Sequence, residues 1–301
     1  MKHHCQIAVD GELEVMTMTS IGLRIEVLGM LRAERDGIEV DLGGPKQRAV
    51  LAMLASYPND PIRRDRIIDG IWGDEASDAN RHSFSTYLSN LRAVLGDVIQ
   101  RSGEAYWLAV EDEAVDHMEF TAAVDAARLI VATDPETAVT SVREALGLWR
   151  GRPYADLVDF PGIEPEVRRL EELRLQAVEL RVDAELAVGL DRSLVAELDA
   201  LAEEYPLRER FRAQHMLALY RSGRQADALR AYRRTETFLA EELGVEPSDE
   251  LQDLELGILD HDQSLLVGSG RAVTQRLAFL VTDLDGSTEM WDRYPHAMAT
   301  A

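Results

Sequence analysis

The chain has 301 residues, one cysteine and a formal net charge of −23. This length allows two domains, one cysteine leaves no internal disulfide, and the acidity weighs against a uniformly basic nucleic-acid binder. No apolar run reaches the roughly 18 residues of a membrane span, and the start does not resemble a secretory signal, so the sequence reads as soluble and cytoplasmic with no membrane partner. The acidity is also local. Carboxylates crowd 164–185, 197–209 and 236–262, whereas Lys46, Arg48, Arg63, Arg64 and Arg66 face only Asp60 and Asp65 between Pro45 and Arg66. Exposed charges are screened beyond about 10 Å, so the local balance decides what each part can bind.

In chain order, residues 1–19 lack a period and read as a loose tail, with Met16 and Met18 as alternative starts. His3, His4 and Cys5 have no distant partner ligand and read as tail rather than metal site. From Leu23 the sequence alternates, with Leu23, Ile25 and Val27 on one side and Arg24 and Glu26 on the other, as in a half-buried strand. Asp36-Gly37 predicts a turn into a second strand, Ile38 to Leu42. Pro45 suits the first position of a helix that buries Ala49, Val50, Met53 and Leu54. A second helix is predicted from Arg63 to Trp72 and a third from Ala79 to Gly96. Val98 to Arg101 and Ala105 to Val110 predict a hairpin. Strands, three helices and a hairpin outline a winged helix-turn-helix over 20–112.

Beyond Asp116 the patterns are helical. Gly189 and Gly223 are 34 residues apart, the tetratricopeptide period, and Ala218, Tyr220, Ala226, Ala228, Ala231 and Tyr232 supply small and large packing positions around the second. An earlier unit is predicted from Phe120 to Trp149, with Asp134 as N-cap and Pro135 following. The Pro-rich stretch Gly151 to Pro165 reads as a loop. The fold class is therefore mostly α with a small β part: a winged helix-turn-helix, then an all-α tetratricopeptide-like domain over 113–262. A linker over 263–276 and a separate piece over 277–301 follow.

On a helical wheel at about 100° per residue, Phe84, Leu88, Leu91 and Leu95 form one stripe, with Tyr87 and Val94 at its edge. His82, Thr86, Ser89 and Ala93 lie opposite, flanked by Ser85 and Asn90. Such a helix can rest its back on a core and put a slim polar front into a major groove about 12 Å wide. His82, Ser85, Thr86, Ser89 and Asn90 are the candidates for base edges. Arg81 and Arg92, Lys46 and Arg48 on the first helix, and Arg63 and Arg64 opening the second are candidates for phosphates. Arg101 and Tyr106 stand at the wing. The alternative is a surface helix whose polar face only meets water.

These segments resemble the SARP (antibiotic regulatory protein) type transcriptional activators. The resemblance is carried by Leu42-Gly43-Gly44-Pro45-Lys46-Gln47-Arg48-Ala49, by Arg66-Ile67-Ile68-Asp69-Gly70-Ile71-Trp72-Gly73 and by Tyr87-Leu88-Ser89-Asn90-Leu91-Arg92. Glu171–Leu175, Pro206–Arg210, Met216–Ala226 and Glu241–Pro247 carry it through the helical half. It implies a response-regulator-like winged helix joined to a bacterial transcriptional activation domain. It also implies binding to direct repeats in double-stranded DNA near promoters as a homodimer or tandem copies, and recruitment of RNA polymerase. No Walker-type glycine loop, zinc spacing or Ser-His-Asp pattern stands out, so no cofactor and no enzymatic activity are expected. Two departures lower the expected affinity. Asn90 replaces the arginine usual there, and the wing Gly103-Glu104-Ala105-Tyr106 lacks a second glycine and adds a carboxylate.

Leu277 to Thr288 is a separate signal, with an apolar run ending in Thr282-Asp283-Leu284-Asp285-Gly286-Ser287-Thr288. A carboxylate at a strand end before a tight turn suits a divalent metal. The stretch resembles the opening of haloacid-dehalogenase-like phosphatases and, more closely through Glu289-Met290-Trp291, that of class III nucleotide cyclases. With no partner carboxylate or arginine of that chemistry behind it, Asp283 and Asp285 are expected to be metal-site remnants rather than a catalytic centre. Two other readings of the whole chain remain: a regulatory fragment of such a cyclase, or an interaction scaffold with a degenerate winged helix.

Overall fold

A computed structural model describes residues 22–73 and 78–266, all within one compact unit that ends at Gly270. The expectations for the tail over 1–19, and for the cyclase-like opening with Asp283 and Asp285, lie outside the described residues. Of the expected linker, Gln263–Leu266 is a 3-10 turn, held to the helical half where Arg221 Nε donates to the Leu265 carbonyl at 2.6 Å.

The first sheet has three antiparallel strands in the order β1 (Leu23–Glu26), β2 (Arg32–Arg35), β3 (Ile38–Glu39). Leu23 and Ile25 are buried, as their alternation predicts. Asp36 and Gly37 both have positive φ, 54° and 77°, the requirement of a tight I′ hairpin turn. The turn joins β2 to β3. β2 escapes the sequence reading because Ala33 is the lone apolar residue in Arg32–Arg35, and the expected strand from Ile38 to Leu42 shrinks to two residues.

Helix α1 (Pro45–Ala55) starts on its proline and buries Ala49 to Ala55. The next residues differ from expectation: Ile62–Arg63 is a short strand, β4, and α2 (Arg64–Trp72) begins one residue later. α3 (Asp78–Leu95) leads to β5 (Ile99–Ser102) and β6 (Ala105–Leu108), in a second antiparallel sheet of order β4-β6-β5. The winged helix is present.

Among the described residues seven α-helices follow: α4 (Asp116–Ile130), α5 (Pro135–Leu146), α6 (Glu164–Ala187), α7 (Asp191–Glu204), α8 (Glu209–Arg221), α9 (Gln225–Glu242) and α10 (Asp249–Leu259). Asp134 caps α5, its Oδ1 accepting from the Thr137 amide at 3.2 Å. The turns at Gly189 and Gly223 superpose in their bonding. Amides 188, 189 and 190 donate to carbonyls 184, 186 and 185, and amides 222, 223 and 224 donate to carbonyls 218, 220 and 219. Both glycines have φ near the left-handed helical region, 85° and 80°, the conformation that ends a helix and lets the chain double back. The 34-residue spacing thus recurs as two like turns, one between α6 and α7 and one between α8 and α9.

The winged helix and the first helices of the second half share one apolar core running from Leu23 to Ala184. Ile25 bridges Val115 in parallel. The Asp116 carboxylate accepts from the Val27 and Leu28 amides at 2.8 and 3.1 Å and from Arg150 Nη2 at 2.8 Å. Burial pushes the pKa of this carboxyl up, against the backbone donors and Arg150, which pull it down. The Pro-rich loop closes the seam: amides 150, 154 and 155 donate to carbonyls 28, 27 and 29 at 2.8–3.1 Å. His117 Nε2 lies 2.8 Å from the Ala55 carbonyl, so α4 provides the cap for the end of α1.

Candidate nucleic-acid interface

The wheel of α3 is realised residue by residue. Phe84, Leu88, Leu91 and Leu95 are at most 2% exposed, Tyr87 and Val94 are half-buried, and Arg81, His82, Ser85, Thr86, Ser89, Asn90 and Ala93 are exposed. Phe84 meets Tyr106 edge-on at 5.3 Å, and Tyr87 stacks on Trp72 at 6.2 Å. Aromatic packing on both flanks fixes how far α3 projects. The Ser85 and Thr86 hydroxyls each donate back to the carbonyl four residues earlier, at 3.2 Å, which leaves their oxygens facing outward as acceptors.

Lys46 stands exposed at the start of α1 with Nζ 5.6 Å above the Trp72 ring. Arg63 is exposed on β4, where it pairs with Ala105 of the wing. With the α3 front, these two residues define a polar, mildly basic surface.

Several expected contacts are committed elsewhere. Arg48 is turned away: its Nε donates to Asp156 Oδ2 at 2.8 Å, and its Nη2 reaches Asp156 Oδ2 and the Leu31 carbonyl, each at 2.5 Å. A cation in the first turn of α1 therefore ties the winged helix to the Pro-rich loop. Arg92 gives Nε and Nη2 to the Ile99 carbonyl at 2.9 and 2.8 Å, clamping α3 to β5. Tyr106 is 4% exposed and belongs to the core. Asn90 stays exposed, but its amide donates to Gln47 Oε1 at 2.9 Å, and Gln47 in turn donates to the Leu42 carbonyl. The wheel gave the direction of each side chain and could not show the acceptors waiting across the fold.

The wing carboxylate acts on two further candidates. Glu104 Oε2 lies 2.7 Å from Arg64 Nη1 and Glu104 Oε1 lies 3.6 Å from Arg101 Nη2. Arg101 also donates to the Gly103 carbonyl and lies over the Tyr106 ring at 5.5 Å. Both arginines are thus partly neutralised.

Sequence reasoning missed the parts that hold this surface in place. Asp156 and Gly162 lie far along the chain, in a stretch legible only as a loop, and Arg150 stands at its edge. Gly70 carried a signal, since glycine inside a helix is destabilising unless close packing needs it. The Gly162 amide donates to the Gly70 carbonyl at 3.0 Å.

Comparison with known proteins agrees with this architecture. Residues 38–105 match the model described as "Transcriptional regulatory protein, C terminal", and residues 115–259 match the bacterial transcriptional activator domain. The chain is 40% identical over 249 residues to the regulatory protein AfsR of Streptomyces griseus, covering 82% of this chain and 26% of AfsR. It therefore spans about a quarter of that relative. It is 33% identical to the regulatory protein DnrI of Streptomyces peucetius, covering 81% of this chain and 94% of DnrI. Among solved structures, Mycobacterium tuberculosis EmbR in complex with a low-affinity phosphopeptide aligns with a TM-score of 0.76 and 36% identity, over 82% of this chain and 69% of that one. With both modules matched in order and nearly all of DnrI covered, the chain belongs to the SARP family of transcriptional regulators.

Proposed function

We propose that this chain is a sequence-specific DNA-binding activator that acts in the cytoplasm on direct repeats near promoters, in tandem copies, and recruits RNA polymerase through its tetratricopeptide-like helices. The observation that carries this reading is the front of α3, where Arg81, His82, Ser85, Thr86 and Ser89 face solvent on a helix whose back is locked into the core. Hydroxyl and imidazole groups are assigned to base edges, and Lys46, Arg63 and Arg81 to phosphates. Arg64 and Arg101 join them to the extent that Glu104 yields. Footprinting on DNA upstream of its own gene tests this: protected direct repeats are expected, with affinity falling steeply as salt rises.

The scaffold reading is favoured by one feature, the neutralisation of two wing-side arginines by Glu104. A flat salt response with no protected site would select it. For Leu277 to Thr288 the proposal is a cyclase-like opening without catalysis, so nucleoside triphosphate and manganese should yield no cyclic nucleotide.

A further inference from the structure

The helical half carries a second cationic feature, away from α3. Helices α7, α8 and α9 border an open groove of about 660 Å³, with Val195, Ala196 and Leu219 among its lining residues. Four arginines, Arg224, Arg230, Arg233 and Arg234, line it against two carboxylates, Asp199 and Asp227. Asp227 is already occupied, since it accepts from Arg224 Nε at 2.7 Å and from Arg230. Arg233 and Arg234 are exposed and make no hydrogen bond or ion pair with any described residue.

A buried polar group also faces this groove. His215 is 5% exposed and makes no hydrogen bond to a described residue; its Nδ1 stands 3.8 Å from Asp199 Oδ1. Burial lowers its pKa, Asp199 opposes this, and Arg234, Arg224 and Arg212 push it lower still. With four arginines against two carboxylates, the lining carries a positive formal balance inside a chain of net charge −23.

We propose that this groove docks an acidic, amphipathic segment of a protein partner. The arginines extend from position 224 to 234, about 15 Å along a helix, which suits a row of carboxylates rather than a point anion. The apolar lining gives the same segment a place for aliphatic side chains. A cleft of this volume takes side chains rather than a nucleic-acid duplex. A chain of net charge −23 repels an acidic partner on the whole, and such contrast fixes where and in what register binding occurs. This deepens the recruitment role proposed above and rests on it for the partner's identity, not for the groove's chemistry.

The test uses the full chain and a fluorescent synthetic peptide with Glu on one helical face and Leu on the other, beside its Gln-for-Glu analogue. The Glu peptide should bind and the Gln analogue should not. The pair Arg233→Glu and Arg234→Glu should weaken binding at least about tenfold while leaving DNA affinity unchanged. The milder pair Arg233→Ala and Arg234→Ala should weaken it by a smaller factor, which keeps the test intact if charge reversal perturbs folding. No binding, equal binding of both peptides, or unaltered binding by both pairs overturns the proposal. So does a loss of DNA affinity in place of peptide affinity. Peptide binding that persists in a chain unable to activate transcription supports the groove and removes the recruitment role.

Discussion

Gly70 in the last turn of α2 and Gly162 in the Pro-rich loop meet backbone to backbone: a methyl group on Gly162 would stand 2.5 Å from the Gly70 Cα and 2.7 Å from its carbonyl oxygen. Their hydrogen bond at 3.0 Å joins the winged helix to the activation domain with no side chain between. The support of α3 therefore extends well past the winged helix. Gly162→Ala must push this seam open, at a cost of about 1–3 kcal/mol for overpacking. A lowered melting temperature with unchanged helix content by circular dichroism is the expected result, and a variant as stable as the parent would show that the seam can yield.

Arg48 and Asp156 offer a test that separates structure from DNA contact. Their side chains are 22% and 14% exposed, so removing either leaves its partner part-buried without its counter-charge, held only by the Leu31 backbone. Arg48→Ala and Asp156→Ala should each lower stability by about 1–3 kcal/mol. The double variant should cost less than the sum, as expected for residues in contact. If Arg48→Ala left stability intact and lost only DNA affinity, the residue would belong to the interface after all.

Glu104 should act as a brake on DNA binding. Glu104→Gly releases Arg64 and Arg101 from the carboxylate, so affinity should rise severalfold and its dependence on salt should steepen. Gel-shift titrations at several salt concentrations measure both. Weaker binding by this variant would mean that Glu104 orders the wing more than it repels phosphate.

The face of α3 divides by role. Thr86→Ala or Ser89→Ala should change preference at one base position, by about 1–3 kcal/mol, whereas Arg63→Ala should weaken all sequences alike and reduce the salt slope by about one. Binding measured across a randomised operator pool distinguishes the two. A uniform loss in every variant would place the base contacts elsewhere.

Histidine burial sets an acid limit. His117 and His215 both have pKa values lowered from 6.5, chiefly by burial. The unfolded chain then binds more protons than the folded one below about 6.5, and stability must fall as pH drops through that range. At more acid pH, Glu172 adds to the effect. Arg208, donating to it at 2.8 Å with both Nη atoms, holds its pKa below 4.5, so that contribution is lost as pH falls below 4.5. Denaturant midpoints measured from pH 7 downward should decline in this order.

The sequence by itself determined whatever depends on local periodicity and backbone chemistry. The α3 wheel, the positive-φ pair Asp36-Gly37, the cap at Asp134 and the matching turns at Gly189 and Gly223 all lie within a few residues of their causes. β2 was not legible, because its register comes from pairing Ile25 with Ala33 across the sheet and not from its own pattern. Tertiary structure decided which cations face solvent. Arg48, Arg92 and Arg64 look alike in sequence as phosphate ligands, yet Asp156, the Ile99 carbonyl and Glu104 claim them. It also decided that the Pro-rich stretch is a seam rather than a spacer. Charge partners are chosen by distance in space, and Asp156 lies 108 residues from the arginine it holds.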